Sequence, residues 1–275
     1  MFLPSSHIEV LDQHFAPKDN LMSFATTNAL LKIQSTIDYE ILNFWMLDQT
    51  MILGLKDQRL PELSNALSFL SDHDYHYFVR NSGGLGVISD SGVLNVSLFI
   101  PDHLASMSVD DAYQKMTDLV RFAFPELTIG TGEIVHSYCP GTFDLSVNGQ
   151  KIGGMAQRRN PDGTVIMAYL SINGDQQQRG EIVQTAYKLG LADHENKWHF
   201  PDVDPASMIN IQSLLTAPLS IAEVKNRFIE ALQHQQLTIG DQQLNTLMQQ
   251  PQFLSDLSQE RTQMMTRQSK IGGQK

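Results

Sequence analysis

Apolar residues change their spacing several times along the chain, and each change predicts an element. Over residues 23–34, Phe24, Leu30, Leu31 and Ile33 predict a helix, although the Thr26-Thr27 pair weakens helix propensity. Residues 41–47 and 51–53 read as strands. From 61 to 70, Leu63, Leu67 and Leu70 return to helical spacing behind Pro61, which suits a first turn. The middle of the chain is dominated by hairpin signals. Residues 77–80 form a short strand entering Asn81-Ser82-Gly83-Gly84, and 86–88 and 93–100 flank Asp90-Ser91-Gly92. Residues 144–147 and 150–152 flank Asn148-Gly149, the strongest short-range hairpin signal. Arg158 and Val165 bracket Asn160-Pro161-Asp162-Gly163, another tight connection. Successive hairpins predict an antiparallel or mixed sheet.

Two helices punctuate that sheet. Ser108 precedes Asp110 and Asp111, an N-cap with acidic residues in the first turn, and places Ala112, Met116, Leu119 and Val120 inward. Ser220-Ile221-Ala222-Glu223 matches the capping box ahead of Val224, Phe228 and Leu232. The fold class predicted is α+β, a mixed and largely antiparallel sheet with flanking helices. Beyond Gln233 the chain turns Gln-rich and its apolar spacing loosens. Residues 236–275 are expected to be a helical C-terminal appendage with a basic, frayed tail, whose removal from 258 onward leaves catalysis largely intact.

Composition narrows the function. The chain has 275 residues, 41% of them hydrophobic, enough for a core. A formal net charge of -11 argues against nucleic acid or an anionic membrane as partner. A single cysteine excludes an internal disulfide and fits a reducing compartment. No apolar run approaches a membrane span, and the N-terminus lacks a signal-peptide pattern, so a cytoplasmic, soluble protein is expected.

The candidate chemistry centres on Cys139, in the Pro/Gly-interrupted stretch Ser137-Tyr138-Cys139-Pro140-Gly141. Two readings stand for it: a small buried core thiol, or an exposed loop nucleophile activated by nearby positive charge. His136 is a possible base or a plain surface histidine. Lys151 follows the Asn148-Gly149 turn, and is either an ordinary strand-end lysine or a group orienting an acyl carbonyl. Gly153 and Gly154 come directly after it, a pair that inside a strand marks close approach of a ligand or another backbone. Arg80-Asn81-Ser82-Gly83-Gly84-Leu85-Gly86-Val87 is a glycine-rich turn able to present backbone N–H groups to an oxygen. No dinucleotide fingerprint, phosphate loop or serine-hydrolase elbow is present, and the His73/His76 and His194/His199 pairs match no metal spacing. No metal is expected.

Taken together, Val79 to Val87, Asp90 to Leu98, Ser137 to Ser146 and Lys151 to Arg159 resemble the biotin/lipoate protein ligase superfamily. Within it they look most like the octanoyl-[glycine cleavage H protein]:protein N-octanoyltransferases, the amidotransferase branch of lipoate assembly. Leu85 stands where other branches show a third glycine, and the histidine they carry near Ser89-Asp90 is absent; both features recur in this branch. Gly153 replaces the alanine common there. The resemblance implies a catalytic domain over residues 20–235 and makes Cys139 the acyl-thioester nucleophile and Lys151 the carbonyl contact. It places Arg80, Ser82, Gly83, Gly84, Leu85, Tyr138, Gly153 and Gly154 at the substrate, with Leu85, Val87, Tyr138 and Met155 as candidate walls of an acyl slot. It also implies an acylated glycine cleavage H protein as donor and lipoyl domains of 2-oxoacid dehydrogenase acyltransferase subunits as acceptors. No ATP or other cofactor is required on this reading, because one amide is exchanged for another. The alternatives are an ATP-dependent lipoate or octanoate ligase of the same fold, and a non-catalytic acyl-domain-binding protein. Since such partners are commonly acidic, a local basic patch from Arg80, Arg158, Arg159 and Arg179 is expected.

Overall fold

A computed structural model describes residues 2–271. The chain runs β1 (His7–Phe15), α1 (Met22–Lys32), β2 (Glu40–Leu47), β3 (Thr50–Leu53), α2 (Leu63–Asp72), β4 (His76–Val79), β5 (Val87–Ser89) and β6 (Val93–Pro101). It continues through α3 (Val109–Ala123), β7 (Gly130–Thr131), β8 (Leu145–Val147), β9 (Gln150–Arg159), β10 (Gly163–Ser171) and α4 (Gln176–Leu191). It closes with α5 (Ile221–His234), β11 (Thr238–Gly240), α6 (Gln242–Met248) and α7 (Pro251–Gln268).

Eight strands form one sheet in the order β11-β1-β2-β6-β10-β9-β8-β7, and three form another in the order β4-β3-β5. The expected α+β class holds. Pairing is antiparallel from β2 outward through β6, β10, β9, β8 and β7, while β11, β1 and β2 run parallel. Period-two alternation sends Leu42 and Phe44 of β2 to one face, where they meet Leu98, Met116, Leu119, Phe228 and Leu232 beneath α3 and α5. Ile41 of the same strand packs oppositely with Leu30, Phe99, Val165, Leu244 and Phe253. A third core joins the small sheet to α2 and α4 through Leu53, Leu67, Phe78, Val183 and Tyr187. Both expected caps form: Ser108 with Asp111, and Ser220 with Glu223. Asn148 and Gly149 have φ of 51° and 80°, the paired left-handed values that a two-residue hairpin needs.

Two of the expected hairpins are absent as hairpins. β4 and β5 do not pair with each other; β3 lies between them, parallel to β4 and antiparallel to β5. The Asp90-Ser91-Gly92 turn is real, with Gly92 N donating to Asp90 Oδ1 at 2.8 Å, yet it links β5 of the small sheet to β6 of the large one. Turn chemistry fixes the local bend, and long-range pairing decides which strand lies alongside. β1, α4 and β11 have no counterpart among the expected elements. β1 and β11 lie outside residues 20–235 and still belong to the large sheet. From 236 onward the described chain carries β11, α6 and α7, and α7 buries Phe253 and Met264 against the body. Of the basic tail expected to fray from 258, residues 258–268 are the regular end of α7, and 272–275 lie outside the described residues.

Gly92 explains why the crossing between sheets tolerates no side chain. Its carbonyl accepts from Ile172 N at 2.9 Å and Asn173 N at 3.1 Å, and a Cβ there would overlap the Asn173 carbonyl and the Arg179 guanidinium. Gly92→Ala should therefore destabilise the protein by about 1–3 kcal/mol in urea denaturation, as overpacking does; an unchanged midpoint would show that the crossing has slack.

Candidate active site

Cys139 stands in the loop between β7 and β8, half-buried, with φ of 49°. That left-handed value is costly for a residue with a Cβ and persists only where surrounding contacts impose it. Lys151 imposes it. The first residues of β9 aim its side chain inward, where it is 5% exposed. Nζ donates to Ser137 Oγ (3.1 Å), Tyr138 O (3.0 Å) and Cys139 O (2.9 Å), and pairs with Asp144 Oδ1 at 2.9 Å. The carbonyls on both sides of the Cys139 Cα are thus held by one ammonium. Asp144 completes the clamp: Oδ2 accepts from Gly141 N at 3.1 Å and Ile134 N at 3.3 Å. Burial raises the Asp144 pKa against the lowering influence of Lys151 and those two amides.

The sulfur meets a second loop, between β4 and β5. Leu85 N donates to Sγ at 3.3 Å, and Arg80 Nη2 approaches it at 3.7 Å. The same guanidinium is fixed by Gly83 O, which accepts from Nε at 3.1 Å and Nη2 at 2.7 Å. Gly84 has φ of 87°, and a Cβ there would overlap the guanidinium and stand 3.2 Å from Sγ. The loop is anchored from below. Gly86 N donates to the Tyr187 hydroxyl at 2.8 Å, which donates to Asp57 Oδ1 at 2.8 Å; Oδ2 accepts from Gly54 N at 2.7 Å.

Between the two loops opens a cavity of about 360 Å³. Of the ten residues expected at the site, Cys139, Lys151, Arg80, Ser82, Gly83, Gly84, Tyr138 and Gly154 line it. Leu85 and Gly153 stand behind the wall: the Leu85 side chain is core and only its amide faces the sulfur, while Gly153 packs on the Tyr169 carbonyl of β10. Val87 and Met155 join Tyr138 as expected walls, but most of the apolar lining went unforeseen: Phe24, Trp45, Ile52, Tyr113, Met167 and Tyr169. These come from α1, β2, β3, α3 and β10, and only tertiary assembly makes them neighbours. A larger cavity of about 420 Å³, lined by Glu126, Thr216, Arg227 and Glu230 among others, lies away from Cys139 and Lys151.

His136 matches the second of its two readings, a surface histidine. It is exposed and turned to the Asp202 carbonyl at 3.2 Å; among the described residues, no histidine bonds Sγ. The basic patch does not assemble. Arg179 is 1% exposed and bound through Nε and Nη2 to both Asp90 oxygens at 2.7 Å, Arg80 faces the sulfur, and Arg158 bonds Asn28. Only Arg159 is exposed, and it is engaged by the Met107 and Ser108 carbonyls. Among the described residues there is no cluster able to hold a metal ion, and no helix long and apolar enough to cross a membrane.

The sequence profile described as the lipoyl protein ligase A/B catalytic domain matches residues 19–233. An octanoyl-[GcvH]:protein N-octanoyltransferase from Geobacillus kaustophilus is 39% identical over 220 residues, covering 78% of each chain. A lipoyl-[GcvH]:protein N-lipoyltransferase from Listeria monocytogenes is 35% identical over 219 residues, 78% of this chain and 79% of that one. The fold is also that of lipoate-protein ligase A bound with ATP, with TM-score 0.68, 17% identity and coverage of 93% and 94%.

Asp57 gives the loop anchor a pH signature. Burial pushes its pKa from 3.8 up to about 6, against the lowering bonds from Tyr187 and Gly54 and the nearby charges of Arg80 and Lys56. The folded state holds this proton more tightly than the unfolded chain. Its contribution to stability is therefore complete below the unfolded value and is lost as pH rises through the folded one. Urea denaturation at pH about 4 and about 7 should show wild type losing on the order of 2–3 kcal/mol relative to Asp57→Asn across that interval; parallel pH dependence in the two proteins would contradict it.

Proposed function

The chain belongs to the lipoyl protein ligase A/B catalytic-domain family, and from that premise we propose that it is an acyltransferase working through Cys139. It takes an octanoyl or lipoyl group from lysine of the glycine cleavage H protein. It delivers that group to lysine of the lipoyl domains of 2-oxoacid dehydrogenase acyltransferase subunits. The observation that carries this reading is that Cys139 lines a largely apolar cavity with its Sγ between the Arg80 guanidinium and the Leu85 amide. The names of the Geobacillus and Listeria relatives supply the donor and both acyl groups.

The chemistry is two exchanges at one carbonyl. The Cys139 thiolate attacks the donor amide, forming the acyl–sulfur bond; the carbon–nitrogen bond breaks and the donor lysine leaves as an amine after taking up a proton. The acceptor amine then attacks the thioester, loses a proton and restores the thiolate. The number of amides is conserved, so the exchange needs no nucleotide to drive it. Arg80 and the Leu85 amide direct donors at the sulfur's charge. Lys151 has three N–H groups and four oxygen partners, so an incoming oxyanion can replace the most distant one, Ser137 Oγ at 3.1 Å. Burial of the eight-carbon chain against Phe24, Trp45, Ile52 and Val87 contributes about 0.8 kcal/mol per methylene.

The test is transfer of octanoate from acylated H protein to a lipoyl domain in the absence of ATP, followed by gel shift or mass spectrometry of the acceptor. Wild type transfers; Cys139→Ala folds and does not. Lys151→Ala loses roughly 10²-fold or more in rate, and Lys151→Arg does not restore it, because a planar fork cannot take the place of a compact ammonium. Transfer by Cys139→Ala, or transfer only when ATP is added, overturns the reading in favour of a ligase. Absence of transfer by wild type under either condition leaves a binding protein.

A further inference from the structure

α7 lies beyond the matched residues 19–233, yet it grips both neighbours of Arg80. Its last residue, Gln268, is 5% exposed, and its carboxamide faces the edge strand β4. Oε1 accepts from Val79 N at 2.7 Å, and Nε2 donates to Val79 O at 3.0 Å and Met264 O at 2.9 Å. A primary carboxamide is the neutral side chain that can satisfy a backbone N–H and C=O together, as a neighbouring strand would. Val79 is the residue before Arg80, whose own amide donates to Leu53 O at 2.9 Å. The second grip comes through Glu260, 6% exposed, which pairs with Lys32 at 2.7 Å and accepts from Asn28 Nδ2 at 2.8 Å. Asn28 Oδ1 in turn accepts from Asn81 Nδ2 at 3.0 Å, on the residue after Arg80.

We propose that Gln268 is a positioning residue, and that α7 is the strut that holds the Arg80 guanidinium against Cys139 Sγ. Apolar packing by Met264 already attaches the helix; the carboxamide placed on Val79 satisfies the strand edge and, in doing so, fixes the height and direction from which Arg80 departs. This deepens the reading of Cys139 as the acyl acceptor and rests on it for its meaning in catalysis. It also reverses the expectation that residues from 258 onward are dispensable, since removing them takes Gln268 and Glu260 away.

The experiment reads the sulfur directly. The full-length wild type, Gln268→Met, Arg80→Met and the double variant are alkylated with iodoacetamide at one fixed pH, with thermal melts confirming that each is folded. Gln268→Met, which keeps the volume and removes both bonds to Val79, should slow alkylation about fivefold or more, while adding it to Arg80→Met should slow alkylation no further. A folded Gln268→Met alkylated at the wild-type rate overturns the proposal, and so do losses that multiply in the double variant, because a general structural role needs no Arg80. If Gln268→Met does not fold, Gln268→Glu puts the same question, keeping the acceptor for Val79 N–H and losing the donor to its carbonyl. Alkylation requires no acyl donor, so an absence of acyl transfer by wild type would count against the proposed function and leave the outcome for α7 readable.

Discussion

One buried ammonium organises this site. Lys151 is surrounded by the oxygens of Ser137, Tyr138, Cys139 and Asp144, and a charge so deeply removed from water is tolerable only because they replace its hydration. The arrangement is reciprocal. The loop carbonyls satisfy the N–H groups of the lysine in the interior, and the lysine keeps the loop in a backbone conformation that Cys139 would otherwise leave. Asp144 adds the countercharge and, through the Gly141 and Ile134 amides, closes the loop on itself. Removal of either charge strands the other, a loss typically of about 3–5 kcal/mol.

The clamp belongs to the large sheet, while the donors to the sulfur belong to the small one. Arg80 and Leu85 arrive on the β4–β5 loop, whose underside rests on Tyr187 and Asp57. Cys139 therefore sits at a seam, and the cavity beside it is the space that the seam leaves open. This explains the wall composition. Phe24, Trp45, Ile52 and Val87 are residues whose other faces belong to the core that joins the two sheets, so the apolar slot is an incompletely filled part of that core. A slot of this origin is preformed, which keeps the ordering cost of binding a flexible chain on the ligand side.

Legibility in the sequence followed the range of the forces involved. Capping at Ser108 and Ser220 and the Asn148-Gly149 turn are set within four residues, and they were readable. Cys139, Lys151 and the Arg80–Gly84 loop were readable from residue types, spacing and family resemblance together. Pairing partners were not: β4 and β5 each chose β3, a choice made by packing between distant segments. α4 escaped notice because its inward face carries Gln176 and Arg179 beside Ile182 and Val183, so the apolar stripe that signals a surface helix is interrupted. Arg179 reads as surface charge in the sequence, and only the fold sets Asp90 against it. The contribution of α7 was hidden for the same reason, since a glutamine reveals its partners only in three dimensions.

The central claim is that the acyl group rests on Cys139 between donor and acceptor. Its most direct test is intact-mass analysis of the enzyme during a single turnover with octanoylated H protein and no acceptor or nucleotide, followed by peptide mapping. The account predicts one octanoyl increment, labile to hydroxylamine, on the peptide containing Cys139, and its discharge when a lipoyl domain is added. Turnover without such an adduct, or an adduct on another residue, would contradict it.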